Sequence, residues 1–159
     1  MRRIFLIAVP LVLILGAGIY LFGPLFYDRV VDEEVTLVAS DEVIGTGTFS
    51  GVDEWHQGQG TATLVRLESG DIEIRFEGFE VTNGPDLEVW LSNHEFPREN
   101  GDVSGGEWID LGRLKGNVGS QAYILPADAD LELVKSVTIW CEQFGVLFAS
   151  ASLVGAGDA

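Results

Sequence analysis

Two hydrophobic rhythms divide the chain. Residues 4–23 (IFLIAVPLVLILGAGIYLFG) form an unbroken apolar run with no charged or amide side chain. At about 1.5 Å per residue, a helix of that length rises roughly 30 Å, the thickness of a bilayer's hydrocarbon core. From Ile44 onward, apolar and polar positions alternate with period two, and turn residues interrupt them every 8–12 positions. That pattern predicts an all-β domain, an antiparallel β-sandwich or barrel, preceded by one N-terminal transmembrane helix.

The clearest strand is Asp71–Phe76, with Ile72, Ile74 and Phe76 facing one way and Asp71, Glu73 and Arg75 the other. Thr61–Leu67 pairs with it across the short loop Glu68-Ser69-Gly70. Leu87, Val89 and Leu91 repeat the alternation and predict Glu88 and Trp90 outward. Further strands are expected at Trp108–Leu111, Tyr123–Leu125, Ser136–Glu142 and Val146–Leu153. Asn93–Glu107 is polar, rich in turn formers and without period. Loops of that length are often functional or mobile, which makes it the expected recognition surface. Gly112–Gln121 reads as glycine-rich turns, and Asp128–Val134 holds at most a turn or two of helix.

These readings divide the chain into an anchor (1–27), an acidic juxtamembrane tether (28–43), a β domain (44–154) and a disordered Gly/Ala tail (155–159). Whether Val35–Ala39 adds a strand stays open. Arg2 and Arg3 precede the apolar run, while Asp28, Asp32, Glu33 and Glu34 follow it. Positive charge stays cytoplasmic, so the N-terminus is expected inside and the β domain outside the cell membrane. Tyr20, Phe22, Phe26 and Tyr27 sit at the outer end, where interfacial aromatics gather. A cleaved signal peptide is the competing reading. The run exceeds the usual h-region of about 7–15 residues, and large apolar residues follow the Gly16-Ala17-Gly18 candidate site, so an uncleaved signal-anchor is favoured.

Charge narrows the function classes. Nine Lys+Arg stand against 25 Asp+Glu, a net charge of −16. Two of the nine, Arg2 and Arg3, lie before the apolar run, so the exported part is more negative still. Such a surface repels phosphate backbones, and nucleic acid is not an expected partner. Solubility, with adaptation to a salty milieu as a special case, accounts for the charge; a cationic partner is the sharper alternative.

Catalytic signatures are missing. The two histidines, His56 and His94, are far apart, and there is no Gly-x-Ser-x-Gly elbow or His-Glu-x-x-His pair. Asp53, Glu54 and His56 form one small acidic group and His94-Glu95 another, as chance allows in so acidic a chain. Asp86, Asp102 and Glu107 lack the spacing of a calcium loop, so no metal site is expected.

The single cysteine, Cys141, excludes an intramolecular disulfide and a four-cysteine zinc site. Phase places it on the face of Val137 and Ile139, in the core, where an unpaired thiol behaves as a small hydrophobe. Exported proteins usually pair or lose their cysteines, which makes a retained thiol the redox candidate.

Several ordered blocks resemble the DM-thirteen domain, a small all-β extracellular module often found beside DOMON domains. Gly47-Thr48-Phe49 and His56-Gln57-Gly58-Gln59-Gly60-Thr61-Ala62 look like its start. Asn83–Ser92 (NGPDLEVWLS) resembles its central turn and strand. Leu111–Tyr123 (LGRLKGNVGSQAY) with Pro126, then Ser136–Cys141 (SVTIWC) with Phe144–Phe148 and Ala151, resemble the later signatures. The similarity spans about residues 44–154. The resemblance implies a β-sandwich and an electron-transfer or redox role at the cell surface. Cys141 would then act as a bare thiol or help to hold a prosthetic group such as haem. His56 and His94 are the candidate second ligands. No DOMON or cytochrome domain is fused, so an electron partner would be a separate redox or envelope protein. The alternative is a non-catalytic envelope module that binds a partner through the 93–107 loop, or a plain structural spacer.

Overall fold

A computed structural model describes residues 27–155, together with residues 10–13, 16 and 18. Those few N-terminal residues are helical. Among the described residues no helix is long and apolar enough to cross a membrane. Most of the 4–23 segment, and the tail at 156–159, lie outside the described residues.

The domain is an all-β antiparallel sandwich of two five-stranded sheets. In chain order the elements are β1 (Glu42–Thr48), β2 (Ser50–Gly51), β3 (Gly58–Arg66), β4 (Ile72–Val81), β5 (Leu87–Ser92), α1 (Asn100–Ser104), β6 (Trp108–Arg113), β7 (Gln121–Ile124), β8 (Ser136–Cys141), β9 (Val146–Ser152) and β10 (Val154–Gly155). The first sheet runs β10-β1-β3-β4-β7 and the second β2-β9-β8-β5-β6. Gly155, expected in the tail, instead pairs with Gly45.

The predicted hairpin forms: Leu64 faces Ile74 across β3 and β4, and the Leu67 N–H donates to the Asp71 carbonyl at 2.9 Å. Period two then decides the core. Leu64, Ile74 and Phe76 from the first sheet meet Val89, Leu91, Val137 and Ile139 from the second, all essentially without exposure. Phe49, Phe76 and Phe79 fill the centre, with ring centroids 4.9 Å (Phe49–Phe76) and 5.0 Å (Phe49–Phe79) apart in edge-to-face contact.

Alternation mispredicts two outer faces. Glu88 and Trp90 point away from the main core as expected, yet both are buried. A second apolar layer covers them: Trp90, Trp140, Val103 of α1 and Leu147 pack together, with Val52 against them. The 93–107 segment, expected as an irregular loop, carries α1 and is fastened down. Asn100 accepts from the Leu147 N–H at 2.9 Å, Ser150 Oγ donates to the Pro97 carbonyl at 2.8 Å, and Asp102 accepts from the Arg98 and Glu99 N–H groups. On the first sheet, Arg75 also lies on the outer face but is covered by the N-terminal segment. Its guanidinium reaches Glu73 at 2.6 Å, Asp41 at 2.7 Å and the Thr36 carbonyl at 3.3 Å.

That N-terminal segment is the second departure. The residues expected as a juxtamembrane tether lie on the sandwich as a strap. Val30 bridges Val118 in parallel, the Val31 N–H donates to the Val118 carbonyl, and the Glu33 N–H donates to that of Ser120, both at 2.9 Å. Val35–Ala39 forms no strand, although Val35 is buried.

Candidate functional site

Cys141 closes β8, opposite Leu87 of β5. The same phase that buries Val137 and Ile139 buries its thiol completely. The turn Asn83–Asp86 folds over it: Cys141 Sγ donates to the Pro85 carbonyl at 2.9 Å. Asp86 takes a positive φ of 55° in this turn, and its carbonyl accepts from the Glu142 N–H at 3.1 Å. Beyond Cys141 the chain reverses at once, with the Gly145 N–H returning to the Cys141 carbonyl at 2.9 Å. Burial pushes the thiol pKa up, and the Asp86 charge adds to it. The main-chain N–H groups of Phe144 and Gln143 oppose the shift without reversing it. At neutral pH the group is a protonated thiol, a poor nucleophile and a poor metal ligand.

His56 lies at the same end of the sandwich. Its ring meets that of Phe148 edge-on, centroids 4.3 Å apart. Phe148 in turn lies so close over Gly84 that a Cβ there would come within 2.6 Å of its ring. Phe148 and the Gly84-Pro85 turn therefore separate the imidazole from the thiol. His56 Nδ1 is engaged elsewhere, 2.8 Å from Asp53 Oδ2. That contact is the main reason the Asp53 carboxyl is held below its ordinary range, helped by the main-chain N–H groups of His56 and Trp55.

His94 is at the other end. The β5–β8 register sets Leu87 beside Cys141 and Ser92 beside Ser136, and His94 follows Ser92. Five strand residues correspond to about 17 Å. Ser136 Oγ donates to the His94 carbonyl at 2.8 Å, and His94 Nε2 lies 3.6 Å from Asp102. The two histidines are thus not brought together, and neither completes a ligand pair with Cys141. Four clefts among the described residues are lined by none of Cys141, His56 and His94. Among the described residues no group of three or more His, Cys, Asp or Glu is arranged to hold a metal ion. A haem ligated through Cys141 does not fit this arrangement.

The glycine-rich segment 112–121 reads in sequence as turns alone, and the fold uses it as the seat of the strap. Asn117 accepts from the Arg29 N–H at 2.6 Å and donates to Asp28 at 2.9 Å, while Asn83 donates to the same carboxylate at 3.1 Å. Gly119 has φ +104°, and a Cβ there would collide with the Val31 carbonyl. Lys115 grips both oxygens of Glu33 at 2.8 Å and also donates to the Ala122 carbonyl at 2.6 Å. The buried Tyr123 hydroxyl accepts from the Lys115 N–H and donates to Gln121 at 2.7 Å. No local sequence signal reports this docking, because the partners stand 82 to 89 residues apart.

A cleft of about 300 Å³ opens where strap, turn and loop meet, lined by Tyr27, Arg29, Asn83, Gly84, Asp86 and Arg113 among others. The Arg113 guanidinium at its rim pairs with Asp86. Leu87, which faces Cys141 across β5 and β8, also lines this cleft, and the Pro85 carbonyl that accepts from the thiol lies between its lining residues Gly84 and Asp86.

Compared with known proteins, the chain matches no curated protein and no solved structure. Residues 48–153 match the family described as electron transfer DM13, with the match running from the end of β1 to the end of β9. It covers well over half of the chain and contains the Asn83–Asp86 turn, the glycine-rich seat and Cys141, so the chain belongs to the electron transfer DM13 family.

Proposed function

We propose that this chain is an electron-transfer accessory held at a membrane, with residues 4–23 as an uncleaved anchor, the N-terminus cytoplasmic and the β domain outside. Family membership supports the redox half of the reading, and the order of basic, apolar and acidic segments supports the topology. One observation supports an orientation within this reading: Asp28 and Arg29 are tied to Asn83 and Asn117. From Gly23 to Asp28 is five residues, which reach at most about 17 Å. With 4–23 in the bilayer, the Asn83–Asp86 end faces the membrane, and Cys141 lies just behind that face. His94, where the 93–107 segment begins, is then at the far end. The electron partner in this reading is a separate membrane-embedded redox protein that meets the cleft of Tyr27, Arg29 and Arg113. Cys141 is a guarded thiol, reached when the Pro85 turn lifts.

The experiment follows the full chain in membranes. Anchoring predicts retention through alkaline washing and loss of retention in Leu13→Lys; a washed-out wild-type chain removes the anchor. Cross-linking from a probe at Arg113 is expected to capture a membrane redox protein, and electron exchange with it is expected to fall in Cys141→Ser. Exchange that is unchanged in Cys141→Ser removes the thiol from the proposal.

A second reading rests on Phe96. It is 59% exposed beside a cleft of about 380 Å³ lined by Glu95, Val134 and Lys135. A binding module using the 93–107 segment predicts that Phe96→Ser abolishes partner capture without unfolding the domain.

A further inference from the structure

The outer face of the second sheet carries three indoles in one stack. Trp90 on β5 lies between Trp108 of β6 and Trp140 of β8. Its ring is 4.9 Å from Trp108 at an interplanar angle of 8°, and 5.2 Å from Trp140 at 25°. Exposure falls along the stack from 42% at Trp108 to 7% at Trp90 and 4% at Trp140. The Trp90 Nε1–H donates to Glu88 at 3.1 Å, and that carboxyl is itself buried.

We propose that Trp108 and Trp90, with Trp140 stacked behind them, form a one-electron relay that carries a vacancy from the domain surface to Trp90, with Glu88 as the proton acceptor for Trp90. This rests on the electron-transfer reading above and gives that reading a site independent of Cys141.

Parallel rings at van der Waals separation share π density, so an electron lost at the exposed ring is replaced from the next one inward. An oxidised indole becomes strongly acidic at nitrogen and is trapped when its proton has an acceptor already in place. Trp90 has one. The step balances: a strong one-electron oxidant of the radical or high-valent metal class takes one electron at Trp108. The vacancy moves to Trp90, the Nε1–H bond breaks, and an O–H bond forms on Glu88. No proton leaves the site.

Packing alone gives no reason to bury a carboxylate against an indole, since an unpaired buried acid costs free energy that an apolar residue would not. Other acids face the same spot. Burial raises the Glu88 pKa, and Asp110 on β6 and Glu142 after β8 raise it further, while the Trp90 hydrogen bond opposes them. These charges favour a positive vacancy on the neighbouring ring. The cation in register with Glu88 is Arg113, whose guanidinium is turned to Asp86.

The test uses the full chain in detergent micelles with Trp55→Phe, because Trp55 is 74% exposed outside the stack and would give its own signal. A photogenerated ruthenium(III) polypyridyl complex serves as the oxidant, and transient absorption separates neutral from protonated indole radical. The parent is expected to yield the neutral radical. Adding Trp108→Phe, at a surface position, is expected to remove most of that yield. Glu88→Gln keeps shape and hydrogen bond but accepts no proton, and is expected to leave the protonated radical. An unchanged yield in Trp108→Phe, or a neutral radical formed at the parent rate in Glu88→Gln, overturns the relay. The oxidant replaces any biological partner, so failure here leaves the membrane-partner reading standing, and failure to capture a partner leaves the relay standing.

Discussion

The sulfur of Cys141 ends against the carbonyl oxygen of Pro85, a residue 56 positions earlier in the chain. A thiol so placed is protonated and has no route to solvent unless the Asn83–Asp86 turn moves. Native protein is therefore expected to resist alkylation at neutral pH and to react fully once unfolded. Rapid native labelling, followed by mass spectrometry of the Cys141 peptide, would show the turn to be open in solution. Cys141→Ala removes only a small buried group, and an expected cost of about 1 kcal/mol can be read from denaturant unfolding.

Gly119 is the point at which the strap is most easily ejected. Alanine there meets both a backbone angle that suits glycine and the Val31 carbonyl. The backbone part alone costs about 1–2 kcal/mol. The strap is expected to detach while the sandwich stays folded. Proteolysis should then cut within residues 28–38 of Gly119→Ala and leave a resistant core, whereas wild type resists at both places.

Docking of the strap should also depend on pH. The hydrogen bond from Lys115 holds the Glu33 carboxyl below its ordinary range, aided by the Ala122 N–H, with burial opposing. A depressed folded pKa means that the stabilisation is complete above the unfolded value of about 4.3 and is lost as pH falls through the lowered folded value. Glu33 is 37% exposed, so the ion pair contributes at most about 1 kcal/mol. Hydrogen exchange at Ala122 and Val31 is expected to speed up on acidification in wild type. In Glu33→Gln it should already be faster at neutral pH, with a shallower acid response.

Phe76 tests the core that everything else stands on. It is fully buried and meets Phe49, Phe79 and Tyr123. Phe76→Ala is expected to cost about 3–5 kcal/mol in chemical denaturation. A loss below 1 kcal/mol would mean that the centre of the sandwich is loosely filled.

Period-two alternation was enough to identify the two inner faces, because it reports which side of a strand is apolar. Ile74, Phe76, Val89 and Cys141 all sit where it predicts. It cannot report what covers the other side. Glu88 and Trp90 read as solvent-facing until the 93–107 segment, irregular in sequence, folds α1 back across them. Pairing register was equally hidden: the sequence names His56 and His94 as equals, and only the alignment of β5 with β8 sends one to each end. The strap left even less trace. Its acids look like ordinary solvated charge, and its seat looks like turns.

Val31 and Glu33 bond to the loop one after another along the strap. A pull applied through the chain before Asp28 therefore loads these bonds in turn and peels them, rather than stressing all at once. The β ladders of the sandwich stay unloaded while this happens. Once peeled, residues 28–41 would pay out roughly 45 Å of extended chain. The chain entering the domain at Asp28 has two lengths, one short and stiff and one long and slack, and a single-molecule extension trace would show the change between them as one early step.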